Sequence, residues 1–87
     1  MYASVFWDDG PDGNVAHIAE HGLTPEEVED VLLDESLPVR VSRSTNAPCK
    51  FGYTKTGRYI IVVWNEYPDE DPPVIYPITA YDVNEPG

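Results

Sequence analysis

The apolar residues change period at Pro38, and that change restricts the chain to few architectures. Between Asn14 and Pro38 they recur at helical spacing; after Pro38 the pattern becomes that of strands. The helical half is clearest from His21 to Glu35, HGLTPEEVEDVLLDE. Thr24 suits an N-cap, because its hydroxyl can accept from a backbone N–H that the helix leaves unpaired. Pro25 fits the first helical position, where no N–H is needed. Glu27 completes a capping box, and Leu23 and Val28 occupy the positions of a hydrophobic staple. Val28, Val31 and Leu32 then form one apolar face, and carboxylates cover most of the rest. Upstream, Val15, Ile18 and Ala19 lie at helical spacing within 14–20, and Gly22 is a natural stop. Two antiparallel helices with a short connection are expected.

The remaining segments read as strands. Residues 3–7 form a short first strand, followed by a turn-rich corner over 8–13. Residues 39–44 alternate, 45–48 turn, and 49–54 and 58–67 flank Lys55-Thr56-Gly57 as a hairpin with Gly57 in the left-handed position. An acidic loop over 68–73 leads to a last strand over 74–83, in which Pro77 implies an edge or a bulge. The order β-α-α-β-β-β-β predicts an α+β domain. Its two N-terminal helices should pack on one face of a mostly antiparallel sheet of four to five strands. At 87 residues the whole chain, 1–87, is one domain.

The hairpin also predicts a register. If Thr54 faces Arg58, then Tyr53 faces Tyr59, Phe51 faces Ile61 and Cys49 faces Val63. These six make an apolar face suited to lie under the helices. Lys50, Thr54 and Arg58 would then share the opposite, helix-free face with Ile60 and Val62.

Charge is segregated along the chain. Residues 1–35 hold ten carboxylates and no Lys or Arg. Residues 36–65 hold all five bases and no carboxylate, and residues 66–87 hold the other six acids. The net charge of −11 repels nucleic acid overall, while the central segment can attract phosphate or an acidic partner. So many acids with only two lysines also fit a salt-adapted, halophilic protein. A hydrophobic fraction of 41% argues against a wholly disordered chain. The longest apolar run, 59–64, is too short to span a bilayer, and no basic leader opens the chain. With Cys49 as the single cysteine, no intrachain disulfide can form. A cytoplasmic protein without membrane association is expected.

Few residues point to chemistry. His17 and His21 have the i, i+4 spacing of a metal pair, but no third ligand accompanies them, so no metal or cofactor is expected. Cys49 reads as a buried strand residue. The most functional-looking set joins Arg40, Arg43, Lys50 and Arg58 to aromatics such as Tyr53, Tyr59 and Tyr81, because charge and stacking together hold single-stranded RNA.

Taken in order, the motifs resemble the BrnT toxin family, within the RelE-like ribonuclease toxins. They are Phe6-Trp7-Asp8, Asn14, His21-Gly22-Leu23 with Glu26-Glu27-Val28, Gly57-Arg58 before residues 60–63, and Ile78-Thr79-Ala80. Tyr81-Asp82 stand where the family carries arginines after that alanine. The resemblance implies a type II toxin with a cognate antitoxin. It also implies RNA cleavage in which side chains promote attack by the ribose 2′-hydroxyl and neutralise the phosphate. On that basis Arg58, Tyr81 and His21 are the catalytic candidates, with Arg58 as phosphate clamp and Tyr81 as acid or base. Lys50, Arg58, Arg43, Arg40 and Tyr53 would bind RNA or the partner. The alternative is a BrnT-like domain without catalysis that binds protein or RNA.

Overall fold

The computed structural model describes residues 4–85. Thr24 Oγ1 accepts from the Glu27 N–H at 3.2 Å, and the Glu27 carboxylate accepts from the Thr24 N–H at 3.1 Å. This capping box opens helix α2 (Pro25–Leu32), whose Val28, Val31 and Leu32 are buried. Helix α1 (Asn14–Ala19) ends as expected at Gly22, which has φ +73°. There the Leu23 N–H reaches the Ile18 carbonyl and the Gly22 N–H reaches Ala19, a Schellman closure.

Strands β1 (Ser4–Val5), β2 (Arg40–Val41), β3 (Pro48–Tyr53), β4 (Tyr59–Tyr67) and β5 (Val74–Asp82) form one sheet in the order β1-β5-β4-β3-β2. The expected first strand begins at Ala3, which lies outside the described residues. The sheet is mixed rather than antiparallel throughout, because Ser4 and Val5 pair in parallel with Val74 and Ile75. A parallel pair needs a crossover, and everything from α1 to β4 lies between these two strands. The hairpin register is as predicted: Tyr53 faces Tyr59, Phe51 faces Ile61 and Cys49 faces Val63, with Gly57 at φ +92°. Pro77 marks a bulge, since Val63 pairs with Thr79 and Trp64 with Pro77, leaving Ile78 over. Strand β2 is shorter than expected, because the chain already turns at Ser42, whose carbonyl accepts from Asn46 at 2.8 Å.

The helices, however, cover the face opposite to the one predicted. Ile18, Leu23, Val28, Val31 and Leu32 pack with Ile60, Val62, Trp64 and Ala80. Cys49, Ile61, Val63 and Ala47 form a second cluster on the helix-free face, with Phe51, Ile78 and Val83 against it. Both faces of β4 are apolar, so β4 cannot choose between them. The choice follows from β3. A Cβ on Gly52 would lie 2.6 Å from the Leu37 side chain, so the glycine makes room for Leu37. Lys50 and Arg58 find backbone carbonyls to bind at the helix ends.

Buried Asn14 ties the layers together. Its amide donates to the carbonyls of Phe6 (2.9 Å) and Pro77 (3.0 Å), and its oxygen accepts from the Asp8 N–H (2.7 Å). One side chain thereby fixes the chain after β1, the start of α1 and the bulge of β5.

Candidate functional site

The last carbonyls of a helix lack partners inside it and carry its negative dipole end, so a cation placed there is stabilised. Lys50 of β3 and Arg58, just before β4, meet this demand. Lys50 is only 7% exposed, and its ammonium donates to the carbonyls of Leu32 and Asp34, each at 2.9 Å, at the end of α2. The Arg58 guanidinium donates to the carbonyls of His21 (2.8 Å) and Gly22, just beyond α1. It also makes a two-point contact with the Asp82 carboxylate, Nε to Oδ1 at 3.0 Å and Nη2 to Oδ2. That contact holds the Asp82 carboxyl below its usual range and raises the guanidinium further above its own. The expectation that Lys50 and Arg58 lie on the helix-free face is thus corrected: both are on the helix side, bound to protein oxygens.

Arg58 nevertheless stands among the other catalytic candidates. The His21 ring lies 5.8 Å from the Tyr81 ring, and the His17 ring lies 5.8 Å from His21 in an edge arrangement. His17 Nε2 is 3.0 Å from Thr79 Oγ1. His21, Arg58 and Tyr81, 60 positions apart at the extremes, therefore converge beside the end of β5, where both histidines are exposed. His17 joins them; its one-turn separation from His21 was the signal in the sequence. Chemically, the rim offers imidazoles and a phenol that can exchange protons, beside a guanidinium already neutralised by Asp82. Among the described residues, no group of three His, Cys, Asp or Glu side chains is placed to hold a metal ion.

The second concentration of candidates is the helix-free sheet face. Arg40 lies opposite Cys49 in the β2–β3 register. Two adjoining concavities share Arg40 and Phe51. One is also lined by Pro38, Tyr59 and Asn84, the other by Arg43, Cys49, Ile61 and Tyr81 among others. The Tyr53 and Tyr59 rings stand 4.9 Å apart on this face. Glu85 accepts a hydrogen bond from the Tyr53 phenol and, with burial, pushes its pKa up. Burial likewise raises the Cys49 thiol, which suits a core cysteine and not a nucleophile. Arg40, Arg43 and Tyr53 are thus gathered here without Lys50 or Arg58, and Tyr53, expected under the helices, lies on the helix-free face instead.

The acids of α2 are partly engaged in holding the hairpin tip. Glu27 accepts from the Thr56 hydroxyl and Asp30 from the Lys55 N–H (2.9 Å), so the acidic helix docks the β3–β4 loop as well as facing solvent. The Thr56 hydroxyl is the main reason the Glu27 carboxyl lies below its usual range. Trp7 donates its indole N–H to Glu29 at 2.8 Å, securing the segment after β1 to the same helix. No helix among the described residues is long and apolar enough to cross a membrane. Compared with protein-family models, curated proteins and solved structures, the chain matches none.

Proposed function

We propose that the chain is a BrnT-like domain that acts by binding a partner through its helix-free sheet face, without cutting RNA. The observation that carries this reading is the state of Arg58. Four N–H···O contacts, two to Asp82 and two to backbone carbonyls, occupy the guanidinium that the resemblance casts as phosphate clamp. A phosphate would have to displace a carboxylate from it. Lys50 is buried under α2, and Asp82 stands where the family carries an arginine. The net charge of −11 opposes RNA approach as well. The order of motifs and the α+β architecture support the family likeness.

A ribonuclease of the toxin type is the second reading, favoured by the convergence of His21, Arg58 and Tyr81. Induced expression and incubation of purified protein with total RNA separate the two. The binding reading predicts no growth arrest and no cleavage products. Cleavage by the wild type that Tyr81→Phe or His21→Ala removes would establish the second reading instead.

A further inference from the structure

The fold divides the five bases into two groups. Lys50 and Arg58 bind helix-end carbonyls, and Lys55 lies 3.9 Å from Asp30. Arg40 and Arg43 form no ion pair among the described residues. Both line the concave part of the helix-free face, and among the described residues no carboxylate lines either concavity there. In a chain with sixteen acids, this is a local surface of opposite sign. Its floor is apolar: Cys49 and Ile61 are buried, and Phe51 is half-buried.

The same surface runs up to the edge of the sheet. β2 is the terminal strand, so among the described residues no strand neighbours the backbone groups on its outer side. Val39 and Val41 beside that edge are 59% and 65% exposed. An open edge supplies main-chain hydrogen bonds to an added strand, and neighbouring pockets select its side chains.

From this we infer that the β2 edge and the adjoining groove bind an extended, carboxylate-bearing segment of a partner protein by strand addition. Arg40 and Arg43 meet its carboxylates on the helix-free face, while its alternate apolar residues point to the other face of the sheet, beside the exposed Val39 and Val41. A second copy of this chain fits less well, since two-fold pairing through β2 would set Arg40 and Arg43 near their own copies. RNA fits less well too. Its affinity grows with the number of phosphates neutralised, and two guanidiniums on a chain of −11 neutralise few. The inference rests on the binding reading above and adds the chemical class of the partner.

The test is titration of the ¹⁵N-labelled full chain, followed by amide shifts. Three probes are used: a heptapeptide alternating glutamate with valine or threonine, the same peptide with lysine for glutamate, and an RNA octamer. The glutamate peptide should shift the amides of residues 39–44 and of Phe51 saturably, and the lysine peptide should bind at least tenfold more weakly. The double substitution Arg40→Glu with Arg43→Glu should weaken glutamate-peptide binding by about tenfold or more, with an unchanged circular dichroism spectrum. Equal binding of both peptides, shifts confined to other residues, or no shift at all would overturn the inference. Shifts of the same amides by RNA, without cleavage, would overturn the protein-partner assignment and leave the binding reading standing. Cleavage of the RNA would remove the binding reading itself, whatever the peptides do.

Discussion

The Lys50 ammonium lies 2.9 Å from the Leu32 carbonyl oxygen, so a side chain from the sheet closes the end of the acidic helix. Asp34 and Glu35 sit just beyond that end, where negative charge is unfavourable to the helix dipole. Lys50 offsets this and also satisfies the Asp34 carbonyl. The one base in the middle of β3 therefore serves the architecture before any ligand.

Lys50→Met keeps most of the aliphatic stem and removes the donor. It should destabilise the fold by about 1–3 kcal/mol, the range for leaving buried polar groups unpaired. Urea denaturation of the two proteins measures the difference. An unchanged midpoint would show that the lysine does not cap α2.

Acid should reveal the pairing of Arg58 with Asp82. The folded-state pKa of Asp82 is depressed below the ordinary 3.8, chiefly by the hydrogen bond from Arg58. A depressed carboxylate stabilises the fold above its unfolded pKa, and that contribution is lost as pH falls through the folded value. Glu27 and Asp34 are shifted in the same direction. Melting temperature should thus fall as pH drops below about 4. Asp82→Asn should lower it near neutral pH and make the acid limb shallower. A variant with an unaltered acid limb would mean the pair adds no pH-dependent stability.

Gly22 has φ +73°, and its carbonyl receives Arg58. Gly22→Ala forces a Cβ into the left-handed region, which costs about 1–2 kcal/mol. At about 4–8 °C per kcal/mol for a domain of this size, calorimetry should record a drop of several degrees. A loss below about 1 °C would contradict the turn geometry at the end of α1.

Salt tests the meaning of the acidity. If the charge of −11 is an adaptation to strong salt, the acids repel one another in dilute buffer and screening relieves them. Melting temperature should rise from low to molar KCl. A flat or falling curve would leave the acidity without that explanation.

Much of the fold was legible because local rules decided it. Thr24 with Glu27, Gly22, Gly57 and Pro77 each carry backbone chemistry with few alternatives, and each stands where that chemistry places it. The covered face of the sheet was not legible, because Ile60 and Val62 are as apolar as Ile61 and Val63. What decides it is long-range: Leu37 over Gly52, and Lys50 and Arg58 at helix ends 16 to 37 positions away. The parallel pairing of Ser4 and Val5 was hidden for a similar reason, since a two-residue strand has no period to read. Of the candidate site, the meeting of His21 with Tyr81 depends on how α1 lies beside β5, which motif order alone does not encode.

Most directly at stake is the claim that Arg58 holds protein oxygens and not RNA phosphate. The measurement is the ¹⁵N signal of its Nε–H while the full chain is titrated with an RNA octamer whose 2′-hydroxyls are methylated to prevent cleavage. The hydrogen bond to Asp82 predicts an Nε–H that exchanges slowly with water and does not shift as RNA is added. A saturable shift of that signal, accompanied by release of Asp82 toward its ordinary pKa, would contradict it.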